Sequence, residues 1–383
     1  QPKLIKVDTL IAWPTPGKTN DPSSHGSKLG AEAVAGLKEL LGYDPEESFH
    51  VDEEALAHAR KVAERGLEAH KEWDEKYNAW RKANPDKAAL YDRIKAGELP
   101  EGFDKAIDDL EATFEVGKGV ATRGASGSTL NILLGSHTRP YGGTFFMFSD
   151  YERSAVRLAA LMQIPNLYVW SHDSVAVGED GPTHQPVEHL ASFRAIPQLE
   201  VARPADAYET AEAYRYFFEK KNTLPTAMVL TRQGVPVLAE TAEKAKDGVK
   251  KGAYVLVDTE GTPDVIIMAT GSEVQWAVSA AKTLAGEGIK ARVVSAPSLE
   301  WFEEQDAEYK EAVLPASVKA RVSVEAGVAM PWYKYLGSYG KPVSIEQFGL
   351  QGDGAQNMID LGITAEHVVE AAKASIAEVE AAK

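Results

Sequence analysis

The residues best suited to catalysis stand together between His172 and Pro186, in the order His-Asp-Ser-Val-Ala-Val-Gly-Glu-Asp-Gly-Pro-Thr-His-Gln-Pro. Histidine and carboxylate side chains can donate and accept protons near neutral pH. Gly178 and Gly181 allow the backbone to turn sharply and to approach a ligand closely. A polar turn with capping side chains would need the same residue types, so the spacing alone leaves both interpretations open.

This stretch follows a predicted β-strand, at the end of the strand where parallel sheets carry their ligand-binding loops. From Gly119 onward, strands and helices alternate, which predicts parallel sheets with helices on both faces. The predicted strands are 167–171, 198–201, 227–231, 254–258, 265–269, 291–295, 320–324 and 343–346, and the predicted helices are 151–162, 205–219, 272–285 and 365–379.

The chain before Gly119 has a different pattern. A strand is predicted at 3–11 and a short helix at 31–41. A long helix is predicted from Asp52, which suits its cap, to Asn84 before a proline. Its apolar residues recur at helical spacing and predict a packing surface.

The predicted fold is α/β, with two parallel-sheet domains at 118–250 and 251–383. They are preceded by a segment, 1–117, that ends in a helical linker.

Composition excludes several classes of protein. The net charge of −16 argues against a nucleic-acid partner. No apolar run reaches the ~20 residues of a membrane-spanning helix, so no membrane partner is expected. Cysteine is absent and no signal peptide is visible, which makes a cytoplasmic location the expectation. Any phosphate site must rely on a few well-placed arginine and histidine residues.

The stretch from His172 to Pro186 resembles, nearly residue for residue, the pattern in the pyrimidine-binding domain of transketolases. The resemblance extends over essentially the whole chain. It is carried by Ser24-His25-Gly26, Ala121-Thr122-Arg123, Thr138-Arg139-Pro140-Tyr141-Gly142-Gly143-Thr144-Phe145, Phe148-Ser149-Asp150-Tyr151, Arg203-Pro204-Ala205-Asp206, Thr231-Arg232-Gln233, Ala269-Thr270-Gly271-Ser272-Glu273-Val274 and Val324-Glu325-Ala326-Gly327.

The resemblance implies a fold and an activity. The three segments would be the tail of a diphosphate-binding domain with its linker, a pyrimidine-binding domain and a transketolase C-terminal domain. The enzyme would use thiamine diphosphate and Mg²⁺, with Ca²⁺ as an alternative metal, to move two-carbon ketol units between sugar phosphates. It would be a homodimer with its active site at the subunit interface.

The resemblance also implies which residues touch the cofactor. Phe148 would stack on the aminopyrimidine ring, with Phe145 and Tyr151 beside it, because a flat aromatic face suits a flat heterocycle. For Phe145 and Tyr151, a place in the hydrophobic core is the alternative. His25 would contact both the diphosphate and the bound sugar, and is a candidate catalytic residue.

For the substrate, His184 would lie over the reacting carbon as a second catalytic residue, and Asp180 would bind a sugar hydroxyl. Arg123, His172 and Arg232 would hold the sugar phosphate, since the planar guanidinium fork matches phosphate oxygens. Considered alone, each arginine would more simply be a surface ion-pair partner.

The sequence also departs from the family pattern at several points. Transketolases hold their metal with Gly-Asp-Gly and a later Asn in the first domain, whereas Gly352-Asp353-Gly354 lies in the last domain and is interpreted as a turn. Between Asn131 and Ser136 the family has further residues, including the Glu that protonates the aminopyrimidine. Most of the diphosphate-binding domain is also missing, and Gly234 stands where Asn is usual.

Several hypotheses remain after these departures. Segments that contact the cofactor are lost from a longer enzyme, or the chain is a short form that needs a partner subunit. From another class, it could be a catalytically inactive transketolase-like module that acts in assembly or regulation. Deoxyxylulose-phosphate synthases and pyruvate dehydrogenase β subunits share Gly-Pro-Thr-His but lack His172-Asp173-Ser174 together with Thr231-Arg232-Gln233.

Overall fold

The computed structural model describes residues 6–25, 28–99, 101–123, 125, 141–220 and 224–382. The chain divides into two compact units, Gln1–Ala89 and Leu90–Lys383. The strand predicted at 3–11 is wrong for its described residues, since 6–10 form no strand and the next residues form turns. Residues 3–5 of that prediction lie outside the described ranges.

Helices dominate the first unit. α1 spans Ala31–Leu40 and α2 spans Glu53–Ala83, so both predicted helices are confirmed. The Asp52 carboxylate accepts a hydrogen bond from the backbone N–H of Ala55 at 2.7 Å and thereby caps α2. No residue of α2 is buried, and Trp73 and Trp80 remain exposed within this chain. The apolar side of α2 is therefore a surface feature and not part of a core.

The second unit contains a four-stranded parallel sheet. α3 (Pro85–Ala96) and α4 (Phe103–Glu111) precede it. The strands of this sheet are β2 (Tyr141–Phe145), β3 (Leu167–Ser171), β4 (Glu200–Ala202) and β5 (Thr226–Leu230). Two further strands, β1 (Gly119–Ala121) and β6 (Gly234–Pro236), form a separate pair. The order in the sheet is β2-β3-β5-β4, with every pair parallel, while β1 and β6 pair antiparallel.

A second, five-stranded sheet follows in the same unit. Its strands are β7 (Tyr254–Val257), β8 (Val265–Ala269), β9 (Ala291–Ser295), β10 (Arg321–Val324) and β11 (Lys341–Val343). The order is β11-β10-β8-β9-β7. The predicted parallel arrangement is wrong for β7, which pairs antiparallel with β9 at the edge of the sheet.

Helices flank both sheets. The remaining helices are α5 (Ser149–Met162), α6 (His189–Arg194), α7 (Ala207–Glu219), α8 (Ala239–Gly248), α9 (Val274–Gly286), α10 (Leu299–Glu303), α11 (Ala307–Val313), α12 (Tyr333–Leu336), α13 (Gly354–Asp360) and α14 (Ala365–Ala381). One apolar cluster contains Met228 of β5 and Ile267 of β8, so the two sheets share a core. Among the described residues, no helix has the length and apolar character needed to cross a bilayer.

Candidate active site

The stretch that begins with His172 leaves the carboxyl end of β3, where the sequence predicted a ligand-binding loop. His172 itself adopts a positive φ of 64°, which is unusual for a residue with a side chain. Its imidazole is buried and stacks on the ring of Phe145, with centroids 3.5 Å apart and 20° between the planes. The ends of β2 and β3 therefore meet through this ring pair.

Aromatic rings continue from Phe145 along the turn that follows β2. The ring centroids of Phe145 and Phe148 lie 5.9 Å apart in a stacked arrangement, and Tyr151 lies 6.3 Å beyond Phe148. Tyr151 is 89% exposed, which contradicts the alternative that it belongs to the core. The fully buried ring of this turn is Phe146, which stacks on Trp170. The partly buried Phe145 and Phe148 and the exposed Tyr151 thus form an accessible aromatic surface.

His184 joins this surface from the far end of the loop. Gly178 and Gly181 take positive φ angles of 80° and 76°, and these turns lead into a short 3-10 helix, Pro182–His184. The His184 ring meets Phe148 edge to face at 5.3 Å. Its Nδ1 lies 2.9 Å from Thr183 Oγ1, which leaves Nε2 as the nitrogen available to a ligand.

The two candidate phosphate-binding arginines are brought together by the pairing of β1 with β6. Arg123 follows β1 and Arg232 precedes β6. Next to them, the Thr122 backbone N–H donates to Thr231 Oγ1 at 3.0 Å, and the Thr231 N–H donates to Thr122 Oγ1 at 2.7 Å. Both threonines are buried, so the exposed guanidinium groups stand on a fixed base.

His172 lies in the electrostatic field of both arginines. Burial lowers the pKa of His172 to about 4, and the positive charges of Arg123 and Arg232 act in the same direction, against the opposing carboxylates of Asp180 and Asp173. Arg123 Nη1 lies 3.4 Å from His172 Nε2. Because a guanidinium can only donate, Nε2 must accept and the imidazole proton belongs on Nδ1, 2.9 Å from Ser171 Oγ. The ring is thus a neutral acceptor at physiological pH.

The other predicted site residues have simpler surroundings. Asp180 is exposed in the turn between Gly178 and Gly181. His25 is exposed in the first unit, where its backbone N–H donates to the carbonyl of Pro22 at 3.1 Å. The segments 131–136 and 138–140, which the sequence comparison singled out, lie outside the described residues.

The Gly352-Asp353-Gly354 motif has a structural role. The Asp353 carboxylate accepts hydrogen bonds from the N–H groups of Ala355 and Gln356, at 2.9 and 3.0 Å, and so caps α13. A Cβ on Gly354 would collide with the backbone carbonyl of Ala176. The geometry of a helix cap and a close backbone approach accounts for the residue types without a metal.

Sequence reasoning missed the residues behind the loop. Asp173, next to His172, bonds to the fully buried Arg203, whose guanidinium continues into the C-terminal sheet region at Glu273. The sequence signal for this contact lies in the Arg203-Pro204 and Gly271-Ser272-Glu273 motifs. Buried charges paired this closely are uncommon and indicate a constraint on geometry.

Comparison with known proteins now identifies the family. Three family models match in sequence order: the transketolase thiamine diphosphate binding domain over residues 1–100, the transketolase pyrimidine binding domain over 119–237, and the transketolase-like C-terminal domain over 252–364. A transketolase of Mycobacterium tuberculosis is 42% identical over 446 residues, which cover 98% of this chain and 63% of that protein. The chain belongs to the transketolase family.

Other transketolases agree with this assignment. The one from Halalkalibacterium halodurans is 41% identical, over 98% of this chain and 64% of its own length. The structure of transketolase from Leishmania mexicana superimposes with a TM-score of 0.81 at 33% identity, covering 95% of this chain and 61% of that chain. A Pichia stipitis transketolase, described as a complex with sedoheptulose-7-phosphate, has a TM-score of 0.84 at 32% identity, over 97% and 62%.

The chain therefore spans a little over three-fifths of the length of the transketolases it matches. The matched span of 446 residues also exceeds the 383 residues of this chain. These transketolases accordingly carry residues with no counterpart here, as the sequence comparison had indicated.

Proposed function

We propose that this chain supplies the pyrimidine-binding side of a thiamine-diphosphate site that transfers two-carbon ketol units from a ketose phosphate to an aldose phosphate. The observation that carries the proposal is the meeting of two surfaces at His172. Phe145, which belongs to the accessible aromatic surface with Phe148 and Tyr151, stacks on the His172 imidazole. Arg123 Nη1 lies 3.4 Å from Nε2 of the same ring, and the charge of Arg232 also acts on it.

The aromatic surface fits the cofactor. Partly exposed rings beside a buried Phe146 offer flat faces to a planar heterocycle, and stacking is worth about 0.5–1.5 kcal/mol beyond the area buried. When bound, thiamine diphosphate supplies the electron sink that allows the bond between C2 and C3 of the ketose to be cleaved. The protein has to orient the sugar and exclude water from this step.

The arginine pair fits a phosphate. Two exposed guanidinium groups next to a neutral imidazole give a local positive site in a chain whose net charge is −16. Bidentate hydrogen bonds from arginine to phosphate oxygens supply both charge and orientation. The complexes with sugar phosphates described for the Pichia stipitis transketolase support a substrate of this class.

The remaining roles follow from position. His184, whose Nε2 is free for a ligand beside Phe148, is proposed to exchange a proton with the substrate oxygen at the reacting carbon. The exposed carboxylate of Asp180 is proposed to accept a hydrogen bond from a sugar hydroxyl, and His25 to contact the diphosphate and the sugar. Mg²⁺, or Ca²⁺, is proposed to be held by residues outside this sequence, because the one Gly-Asp-Gly motif here caps a helix.

A homodimer is part of the proposal. α5 carries an exposed apolar face formed by Tyr151, Leu158, Leu161 and Met162, which begins at the cofactor-stacking rings. A second subunit that supplies the diphosphate-binding surface would cover both. We further propose a cytoplasmic enzyme of the pentose phosphate pathway, with the domain boundaries at 117 and 250.

The test is ketol transfer from xylulose 5-phosphate to ribose 5-phosphate, in the presence of thiamine diphosphate and Mg²⁺. We expect no turnover by this chain alone, because the carboxylate that protonates the aminopyrimidine and the metal ligands are missing. Adding in one chain the segments that its relatives carry should restore transfer. If the completed protein binds the cofactor but remains inactive, the alternative of an inactive assembly or regulatory module is favoured.

A further inference from the structure

A buried row of charged side chains connects the His172 loop with the region around the second sheet. Arg203 donates to Asp173 Oδ2 twice, from Nε at 3.0 Å and from Nη2 at 2.7 Å. Asp173 is 1% exposed and Arg203 is fully buried. The residue that follows His172 is therefore held in place by a side chain that water does not reach.

The same guanidinium reaches the C-terminal domain. Arg203 Nη1 donates to the carbonyl oxygen of Thr270 at 3.2 Å, to its Oγ1 at 3.1 Å and to the carboxylate of Glu273. Glu273 is itself fixed, since its Oε2 accepts from the N–H of Ala326 at 3.0 Å. Asp173, Arg203 and Glu273 thus form one continuous bridge between the two domains, here called the Glu273 bridge.

A bridge of this kind contributes more to geometry than to stability. Bringing charges out of water costs about as much as their pairing returns, yet removing one member leaves an uncompensated buried charge. The side chains of Asp173, Arg203 and Glu273 therefore have to keep the positions in which all three charges are paired. Asp173 is restricted to that arrangement, and so is the backbone of His172.

A second attachment holds the middle of the loop to the C-terminal domain. Gln185 Nε2 donates to the carbonyl of Leu350 at 2.8 Å, and Gln351 Nε2 donates to the carbonyl of Glu179 at 2.7 Å. Between them, a Cβ placed on Gly178 would lie 2.8 Å from the backbone nitrogen of Gly354. The loop is thus fastened at its start and at its turn.

His172 is the residue that needs such support. Its positive φ of 64° costs a residue with a side chain of order 1–3 kcal/mol, and such conformations persist only where the surroundings impose them. We propose that the C-terminal domain holds His172 in its position between Phe145 and Arg123 through the Glu273 bridge. Asp173, Arg203 and Glu273 are then positioning residues for the sugar-phosphate site, an inference that rests on the proposed function for what Arg123 binds.

The test measures the protonation of the His172 imidazole and does not depend on catalytic activity. In the wild-type chain, labelled with ¹⁵N-histidine and assigned through His172→Gln, the His172 nitrogen shifts should remain those of a neutral ring from pH 5 to 8. In Glu273→Gln, the loosened loop should expose the ring, so that His172 titrates inside this range with an apparent pKa at least one unit higher. Gln351→Ala, at an exposed position, should shift the pKa in the same direction by a smaller amount.

Glu212→Gln is the matched control. Glu212 is likewise a buried carboxylate paired with an arginine, but its partner is Arg215 of the same helix, α7, which donates to it from Nε at 3.0 and 3.2 Å. It should lower stability and leave His172 neutral from pH 5 to 8. If Glu273→Gln does not fold, Arg203→Lys takes its place.

The inference is overturned if His172 stays neutral in every folded variant, or if Glu212→Gln shifts the His172 pKa as much as Glu273→Gln. Neither result depends on turnover. Failure of ketol transfer in the completed enzyme would instead contradict the proposed function.

Discussion

Thr122 and Thr231 exchange hydrogen bonds in both directions, each backbone N–H donating to the hydroxyl of the other residue, at 3.0 and 2.7 Å. The pair joins two chain segments that are far apart in sequence. Since Arg123 and Arg232 are their immediate neighbours, this contact holds the backbones that carry the two arginines close together.

Replacing Thr122 with Val should therefore destabilise the fold. The variant leaves the N–H of Thr231 without its acceptor in a buried position, which costs about 1–3 kcal/mol. Urea unfolding followed by circular dichroism measures this loss. Thr283→Val, on the exposed side of α9, is the control and should stay within about 0.5 kcal/mol of wild type. Equal effects would show that the threonine pair contributes nothing special.

Arg232→Ala should discriminate between substrates in the completed enzyme. A charged hydrogen bond to phosphate is worth roughly 1.5–3 kcal/mol, which corresponds to a loss of about 10- to 150-fold in kcat/KM for xylulose 5-phosphate. Hydroxypyruvate has no phosphate, so its kcat/KM should barely change. Equal losses for the two donors would instead identify Arg232 as a structural residue.

Gly178→Ala should be more harmful than the same change at another glycine with positive φ. Gly178 and Gly288 have φ of 80° and 81°, but a Cβ meets Gly354 N at 2.8 Å in the first case and nothing within 4 Å in the second. Gly288→Ala should cost about 1–2 kcal/mol for the backbone alone. Gly178→Ala should cost more, because backbone must move. Urea unfolding of both variants would refute this if their free energies were the same.

Stability should depend on the ionisation of Glu209. Burial, together with the nearby Asp206 carboxylate, raises the pKa of Glu209 to about 7. The folded state therefore binds a proton that the unfolded state releases between about pH 4.5 and 7, so this group makes the free energy of unfolding fall as pH rises through that range. Below about pH 4.5, Glu209 is protonated in both states and does not change the free energy of unfolding with pH. Above about pH 7 it is ionised in both states, and the loss of stability is complete.

Glu209→Gln removes this dependence. Relative to wild type, the variant should become more stable by up to about 3 kcal/mol as pH rises from 4.5 to 8. Chemical unfolding at several pH values measures the difference between the two proteins, in which the other titrating groups cancel. A difference that is constant with pH would show that Glu209 is ionised throughout.

The exposed face of α5 should mediate self-association. We expect a dimer by sedimentation velocity at micromolar concentration, and Leu161→Glu should shift it toward monomer by placing a charge among apolar side chains. Tyr333→Glu, another exposed apolar position, should leave the dimer intact. A wild-type chain that sediments only as monomer would count against a site shared between subunits.

The local pattern of the sequence predicted the strands that lie inside the sheets. β8 matches the predicted limits, because its side chains are buried on both faces and give a continuous apolar run. β3 and β9 also match, although β3 is only partly buried and Arg292 and Ser295 interrupt the apolar residues of β9. β2 is not predicted, since Gly142 and Gly143 weaken a strand pattern and, among the described residues, β2 pairs with β3 only. The direction of β7 also depends on its partner, which local sequence does not specify.

For the candidate site, the individual residues could be predicted from the sequence, but the contacts between them are visible only in the fold. The stacking of Phe145 on His172 and the pairing of Thr122 with Thr231 join distant segments, so spacing along the chain carries no trace of them. The Glu273 bridge was hidden for another reason. A charged residue in a sequence gives no sign of whether water reaches it.

The contact between Gly178 and Gly354 has a consequence for evolution and for protein engineering. A side chain on either residue would meet main-chain atoms, those of Gly354 in one case and of Ala176 in the other, and no second substitution can shrink a main chain. The contact therefore admits no compensating mutation. We expect a chimaera that joins this pyrimidine-binding domain to a foreign C-terminal domain to fold correctly only if the donor also presents bare backbone at that point.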